Sequence, residues 1–215
     1  KKMKKEAMQE EVDTTISKLR ETKDKREALS LFREHSRGEL CNVLNFASDA
    51  FFRSVHGFMD ENLRELRKVM GAIEEKKSYL KQVKRVGTLG VTQLEHDIAI
   101  DKGLYYYQGN DFASEIVFSI RRLTEPSKEH VDNHFSPLSE IQKEDFGKMT
   151  DSIVSFLNRS SAMIESNDYH RMDDLINESV DLMAKLTLLK KEELKRIQGQ
   201  SGSTKVSAIT FAGCA

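Results

Sequence analysis

Two prolines and no tryptophan occur in 215 residues, and the two cysteines, Cys41 and Cys214, lie far apart in the chain. So little proline leaves long stretches in which nothing interrupts an α-helix. Two distant thiols cannot supply the bridge framework of a small secreted fold, which points to a reducing compartment. An excess of either charge is also missing. The 34 basic and 35 acidic side chains leave a formal net charge of −1, so no whole-molecule field draws in nucleic acid or an acidic substrate. No apolar run approaches the roughly 18 residues that cross a bilayer, and no secretory signal is visible. Catalytic signatures are absent too. "VGTLGV" lacks the Lys-Ser/Thr of a P-loop and a strand before it, and no Ser–His–Asp constellation or nucleotide fingerprint occurs. These absences argue against an enzyme, and no small-molecule substrate is indicated.

What the sequence has is helix-forming residues and charge: Leu, Met, Ala, Glu and Lys are abundant, and 32% of residues are charged. Apolar positions recur at helical spacing almost throughout. Leu40, Val43, Ala47, Phe51, Val55, Phe58, Leu63, Leu66, Met70 and Ile73 lay one stripe along a single helix of about ten turns, with Gly71 at its end or inside it. A second stripe runs Leu80, Val83, Val91, Leu94 and Ile98. Gly87 and Gly90 interrupt it, either as points of close helix contact or as a break. Gly103 predicts a turn. Tyr105, Gly109, Phe112, Ile116, Ile120 and Leu123 then share a face, and Pro126 predicts a kink near Thr124 without a stop.

Ser136-Pro137 reads as a fresh start with proline at the first helical position, and "SEIQ", Ser139 to Gln142, as a capping box. Leu138, Ile141, Phe146, Met149, Ile153, Phe156 and Ile164 form the next face. Asn167 or Asp168 should cap the last helix, whose face carries Met172, Leu175, Val180, Met183, Leu186, Leu189, Leu194 and Ile197 as far as Gly199. A weaker stripe, Met8, Val12, Ile16 and Leu19, precedes them all. Five or six such helices can bury their stripes only against one another, which predicts an all-α, antiparallel bundle of long helices.

Chemistry concentrates in one place. "TEPSKEHVDNHF", Thr124 to Phe135, sets His130 one helical turn from His134 and Glu129 one turn from Asn133, with Asp132 between. Histidines at this spacing can ligate one ion, and Glu129, Asp132 or Asn133 can add an oxygen. A divalent ion such as zinc is the candidate cofactor, and Glu95, Asp97 or Asp101 would supply the further ligand. The competing reading is a solvated helix end; a third is a partner contact. An acid/base dyad there lacks the apolar cleft that separates two pKa values. "YYYQGND" reads as one buried tyrosine and two at a helix contact, or as a docking surface. "FFRSVHGFM" places Phe51 and Phe58 in the core and Phe52 outside. "EEKKSYLKQVKR" alternates in sign and reads as a solvated face, not a nucleic-acid site.

The layout of a long helix, a long charged helix and a third helix ending in "KEHVDNHF" resembles one repeat of the PhoU family, whose domains hold two three-helix repeats in tandem. Residues 38–136 resemble the first repeat, and 138–198 the first two helices of a second, incomplete one. "KEHVDNHF" stands where the family has an Arg-Ile-Gly-Asp-His type signature. The resemblance implies acids spaced Glu/Asp-x-x-x-Asp on each third helix that bind clustered iron, zinc or similar metals, so a divalent or ferric ion. By position Glu129 matches the first acid and Asn133 replaces the second, with His134 following. Asparagine keeps an oxygen but loses the charge, so binding of a hard ion should weaken.

The nearest kind is the PhoU-like portion of bacterial sodium/phosphate cotransporter proteins. It implies a soluble regulatory domain at the cytoplasmic face of the inner membrane, partnered by a membrane transport domain of the same polypeptide. Residues 1–35 would form an N-terminal helical segment following that membrane domain, 36–137 the first repeat and 138–215 the second with a truncated tail. The Lys-rich opening "KKMKKEAMQEE" then reads as a juxtamembrane segment or a frayed helix start. Without a third helix the 138–198 hairpin has an uncovered apolar side, to be covered by residues 1–35 or by another copy in a homodimer. The alternatives are a helical interaction or scaffold module with no transport role, and a metal-binding bundle.

Overall fold

A computed structural model describes residues 14–199 except 16, 93 and 95, with side chains placed for these other than 96–107 and 197–199. It is all-helical. Five long helices follow in order: α1 Lys25–Met59, α2 Leu63–Thr92, α3 His96–Asp132, α4 Glu140–Ser166 and α5 Met172–Gly199. A short helical stretch, 17–21, precedes α1, and its Leu19 is buried beside Tyr79, Val83 and Val86 of α2.

Each boundary has a local cause. Asp24 caps α1, its carboxylate accepting from the Arg26 amide at 2.8 Å. The helix runs unbroken past residue 35, where a boundary between an N-terminal segment and a first repeat was expected. Nor do Leu40 to Ile73 form one helix. The chain reverses at Asp60–Glu61–Asn62, with Glu61 left-handed at φ 51° and the Asn62 side chain accepting from the Glu65 amide at 3.1 Å. The stripe hides the turn because Phe58, Leu63 and Leu66 all still face the same core. Arg53 clamps this corner to Glu65 at 2.7 Å, and that bond holds the Glu65 carboxyl below its ordinary pKa.

Helix α2 contains Gly71, Gly87 and Gly90 and ends only at Thr92, so none of the glycines breaks it, and at Gly90 the Phe32 ring of α1 packs against the bare backbone. Helix α3 runs through Gly103, where a turn was expected, and through Pro126. Near that proline the Thr124 hydroxyl bonds the Ile120 carbonyl and lies 2.7 Å from the Ser54 hydroxyl of α1, a polar pair buried between two helices. Capping opens α4 as the sequence predicts: Ser139 and Gln142 form the reciprocal box, although Pro137 lies before the cap and not at the first helical position. The Gln142 amide also donates to buried Glu193 of α5 at 2.8 Å, and Arg196 joins Glu193 to Asp145. Asn167, expected as an N-cap, is instead the left-handed C-cap of α4 at φ 53°, and Asp168 accepts from the His170 amide in the turn that leads to α5.

Helix α1 packs against α2, α3 and α4, while α5 packs on α4. One core lies among the first three helices around Val43, Ala47, Val69, Ile73, Ala113 and Val117. A second closes the end where α1 meets α2, joining Val55, Phe58 and Leu66 to Val131, Leu138, Phe146 and Leu189. Burying each such large apolar side chain contributes about 1.5–3 kcal/mol. Six expected core positions are outside: Phe112, Ile141, Met172, Val180, Met183 and Leu194 are each 44% exposed or more. Lys76, expected on a solvated face, is 5% exposed with its ammonium 4.9 Å from the Tyr79 ring centroid.

Candidate functional site: the end of α3 and the outer face of α5

The five candidate ligands lie where α3 ends, and the helix terminus uses them for its own closure. The Phe135 amide bonds the His130 carbonyl and the His134 amide bonds the Val131 carbonyl, each at 3.2 Å. His134 is left-handed at φ 55°. This pairing is a Schellman cap, with His134 in the position that usually demands glycine. The apolar contact that accompanies such caps is present as well, since the Phe135 ring meets His130 at 5.4 Å between centroids.

His130 is 2% exposed and packs edge-on against Phe58 of α1 at 5.1 Å. Its Nε2 lies 3.0 Å from the Ser136 carbonyl. A carbonyl only accepts, so Nε2 carries a proton that is committed to that bond. His134 is exposed, its Nδ1 bonding the Asp132 carbonyl at 3.0 Å. Asp132 pairs with Arg67 at 3.1 Å and Lys128 at 3.8 Å, and Asn133 donates its amide to the Glu129 carbonyl at 2.8 Å. The two histidines therefore face different surroundings, one interior and one solvent. Among the described residues no group of three or more His, Cys, Asp and Glu side chains comes together as a metal site. The side chains of Glu95, Asp97 and Asp101, expected as further ligands, fall outside the described residues, as do those of Tyr105, Tyr106 and Tyr107.

Elsewhere the reactive groups are quiet. Burial pushes the Cys41 thiol up, with Glu165 adding to the effect, and its sulfur donates to the Ser161 carbonyl at 3.5 Å. Little thiolate is available at neutral pH to act as a nucleophile. Burial also lowers the His35 pKa, and its Nε2 is enclosed with no protein hydrogen-bond partner. Openings among the described residues flank α1, a small one of about 200 Å³ beside Phe51 and Val55 and two nearer its start. An apolar cavity of about 250 Å³ is lined by Phe32, Leu40, Val43, Leu80 and Ala113, and a wider polar cleft of about 680 Å³ by Arg26, Arg33, Arg37, Asn167 and Tyr169.

The most unusual surface is on α5. Met172, Ile176, Val180, Met183 and Leu194 are each 44% exposed or more, whereas Leu182 and Leu189 are buried toward the bundle. At about 100° per residue these five span about 80° of arc, a second apolar stripe beside the first, and Leu188, 59% exposed, lies about 80° beyond its edge. Periodicity alone merges the two stripes into one face, which is why the sequence places Val180 and Met183 in the core. No helix among the described residues is long and apolar enough to cross a membrane. Comparison with protein-family models, with curated proteins and with solved structures gave no match.

Proposed function

We propose that this chain is a PhoU-like regulatory or accessory domain of a sodium-dependent phosphate transporter, acting through helix-bundle contacts and not by catalysis. The observation that carries the reading is the layout: three long helices form one unit, an antiparallel pair follows, and α1 packs on both. Rods of 35, 30 and 37 residues can convey a displacement over about 50 Å, at 1.5 Å per residue. A small slide of packed helices at one end would bias a membrane transport domain of the same polypeptide at the other. On this reading the domain sits at the cytoplasmic face of the inner membrane. Phosphate enters through the resemblance and through no residue of the chain itself. Deleting residues 36–199 from the full polypeptide should change how uptake responds to external phosphate while the transporter stays inserted. An unchanged uptake curve would overturn the proposal.

The exposed stripe on α5 favours a second reading, a helical interaction module with no transport connection. Hydrophobic spans encoded just upstream of Lys1 would separate the two, because the interaction module needs none. A metal-binding bundle has less support, since the α3 terminus commits His130, His134 and Asp132 to three different partners.

A further inference from the structure

We propose that the outer face of α5 is a homodimer interface, on which a second copy of this chain packs its own α5 in antiparallel orientation about a two-fold axis at Met183. The inference rests on the open side of the α4–α5 pair and is independent of any role in transport.

The first support is the register of the stripe. Around Met183 as centre, Met172 of one copy falls opposite Leu194 of the other, and Val180 falls beside Thr187. Ile176 falls opposite Lys190, whose aliphatic stem can cover it. Met172, Met183 and Leu194 thus meet apolar partners, while Ile176 and Val180 meet the aliphatic parts of Lys190 and Thr187, a self-complementary arrangement as a two-fold interface must be.

The second support is charge. From Met172 to Ala184, α5 carries Asp173, Asp174, Glu178 and Asp181 and no base. From Lys185 to Gly199 it carries five bases, Lys185, Lys190, Lys191, Lys195 and Arg196, against two acids, Glu192 and Glu193. Glu178, Glu193 and Arg196 are taken up by Arg159, Gln142 and Asp145 of α4, so the remaining charges are the ones a partner can meet. Antiparallel pairing sets the acidic half of one copy on the basic half of the other; parallel pairing would oppose like charges. The flank of the stripe repeats the pattern. Asp173 at one end lies on the same side as Lys191 and Lys195 at the other. All three are exposed, and none forms an ion pair within the chain among the described residues.

The size of the patch sets the strength. Twenty-three residues, from Met172 to Leu194, give a stripe about 33 Å long. With a helix about 12 Å across, two copies bury roughly 800 Å². That is below the ~1,200 Å² at which stable specific interfaces begin, so the dimer is weak and depends on concentration.

Sedimentation velocity of the 215-residue chain from about 1 to 200 μM should show a monomer–dimer equilibrium. Val180→Asp should abolish it. The double change Lys191→Glu and Lys195→Glu, and separately Asp173→Lys, should each weaken it about tenfold or more, and mixing the two variants should restore a heterodimer. These side chains are exposed, so circular dichroism should show an unchanged fold. In a Cys41→Ser, Cys214→Ser background, Met183→Cys should cross-link copies under oxidation. Met172→Cys should not cross-link with itself, since the symmetry holds its two copies about 33 Å apart, but should do so when mixed with Leu194→Cys. A monomer at 200 μM, a dimer untouched by Val180→Asp, or self-cross-linking of Met172→Cys would each overturn the proposal. So would a monomeric full chain that dimerises once residues 200–215 are removed, because the tail would then be the occupant. None of these results bears on phosphate uptake, so the two proposals fail separately.

Discussion

Gly90 and Gly71 lie in the same helix, α2, and the same substitution should act on them in opposite directions. A Cβ at Gly71 meets nothing within 4 Å, so Gly71→Ala should gain the helix propensity of alanine, about 1 kcal/mol. A Cβ at Gly90 would lie 2.2 Å from Cδ2 and 2.5 Å from Cε2 of Phe32. That ring is 2% exposed, so it cannot swing into solvent and must displace its neighbours. Overpacking of this kind costs about 3 kcal/mol at the upper end of its usual range. Set against the same propensity gain of about 1 kcal/mol, Gly90→Ala should lose about 2 kcal/mol. At roughly 2–4 °C per kcal/mol for a chain of this size, Tm should rise by a few degrees in Gly71→Ala and fall by about 4–8 °C in Gly90→Ala. Chemical denaturation with an unchanged m-value is the matching assay. A Gly90→Ala variant as stable as the wild type would show that α1 and α2 do not approach closely at Phe32, and the packing of the first unit would need revision.

The cap on α3 makes a prediction of its own. His134→Gly should leave stability unchanged or raise it by up to about 1 kcal/mol, because glycine holds the left-handed conformation without strain. His130→Ala should cost about 2–4 kcal/mol through lost packing and the stranded Ser136 carbonyl. Elemental analysis of both variants beside the wild type would expose any metal role, since an ion held through His134 would be lost in a protein that is otherwise as stable. For pH, His35 has a folded pKa below its unfolded value, so the unfolded chain binds more protons in the window just below 6.5. Stability should therefore rise with pH across that window, and His35→Gln should flatten the slope in urea titrations at pH 5 to 7. An unaltered slope would mean that other groups govern it.

The all-helical architecture was legible because stripes at helical spacing leave no alternative in a chain with two prolines and few strand formers. The Ser139–Gln142 box and the passage of α3 through Pro126 were legible for local reasons: side chain meets backbone within one turn. The Asp60–Asn62 reversal was not, because a two-helix hairpin that folds one core face on itself keeps the apolar spacing across its turn. His130 and His134 show the limit of motif spacing. One turn of helix brings two residues to one face only while the helix lasts, and α3 stops at Asp132. The doubled stripe of α5 was readable as positions but not as faces, since which half turns inward depends on where α4 lies.

Because α1 grips α4 as well as its own hairpin partners, the peptide link at 133–139 is not what joins the halves. Phe146 sits in a cluster with Val55 and Phe58, and Cys41 reaches Ser161 some four turns farther along the same seam. A chain nicked between α3 and α4 should thus stay in one particle, its two fragments parting only on denaturation. The backbone at that joint is free to vary in length or composition without separating what the helices hold.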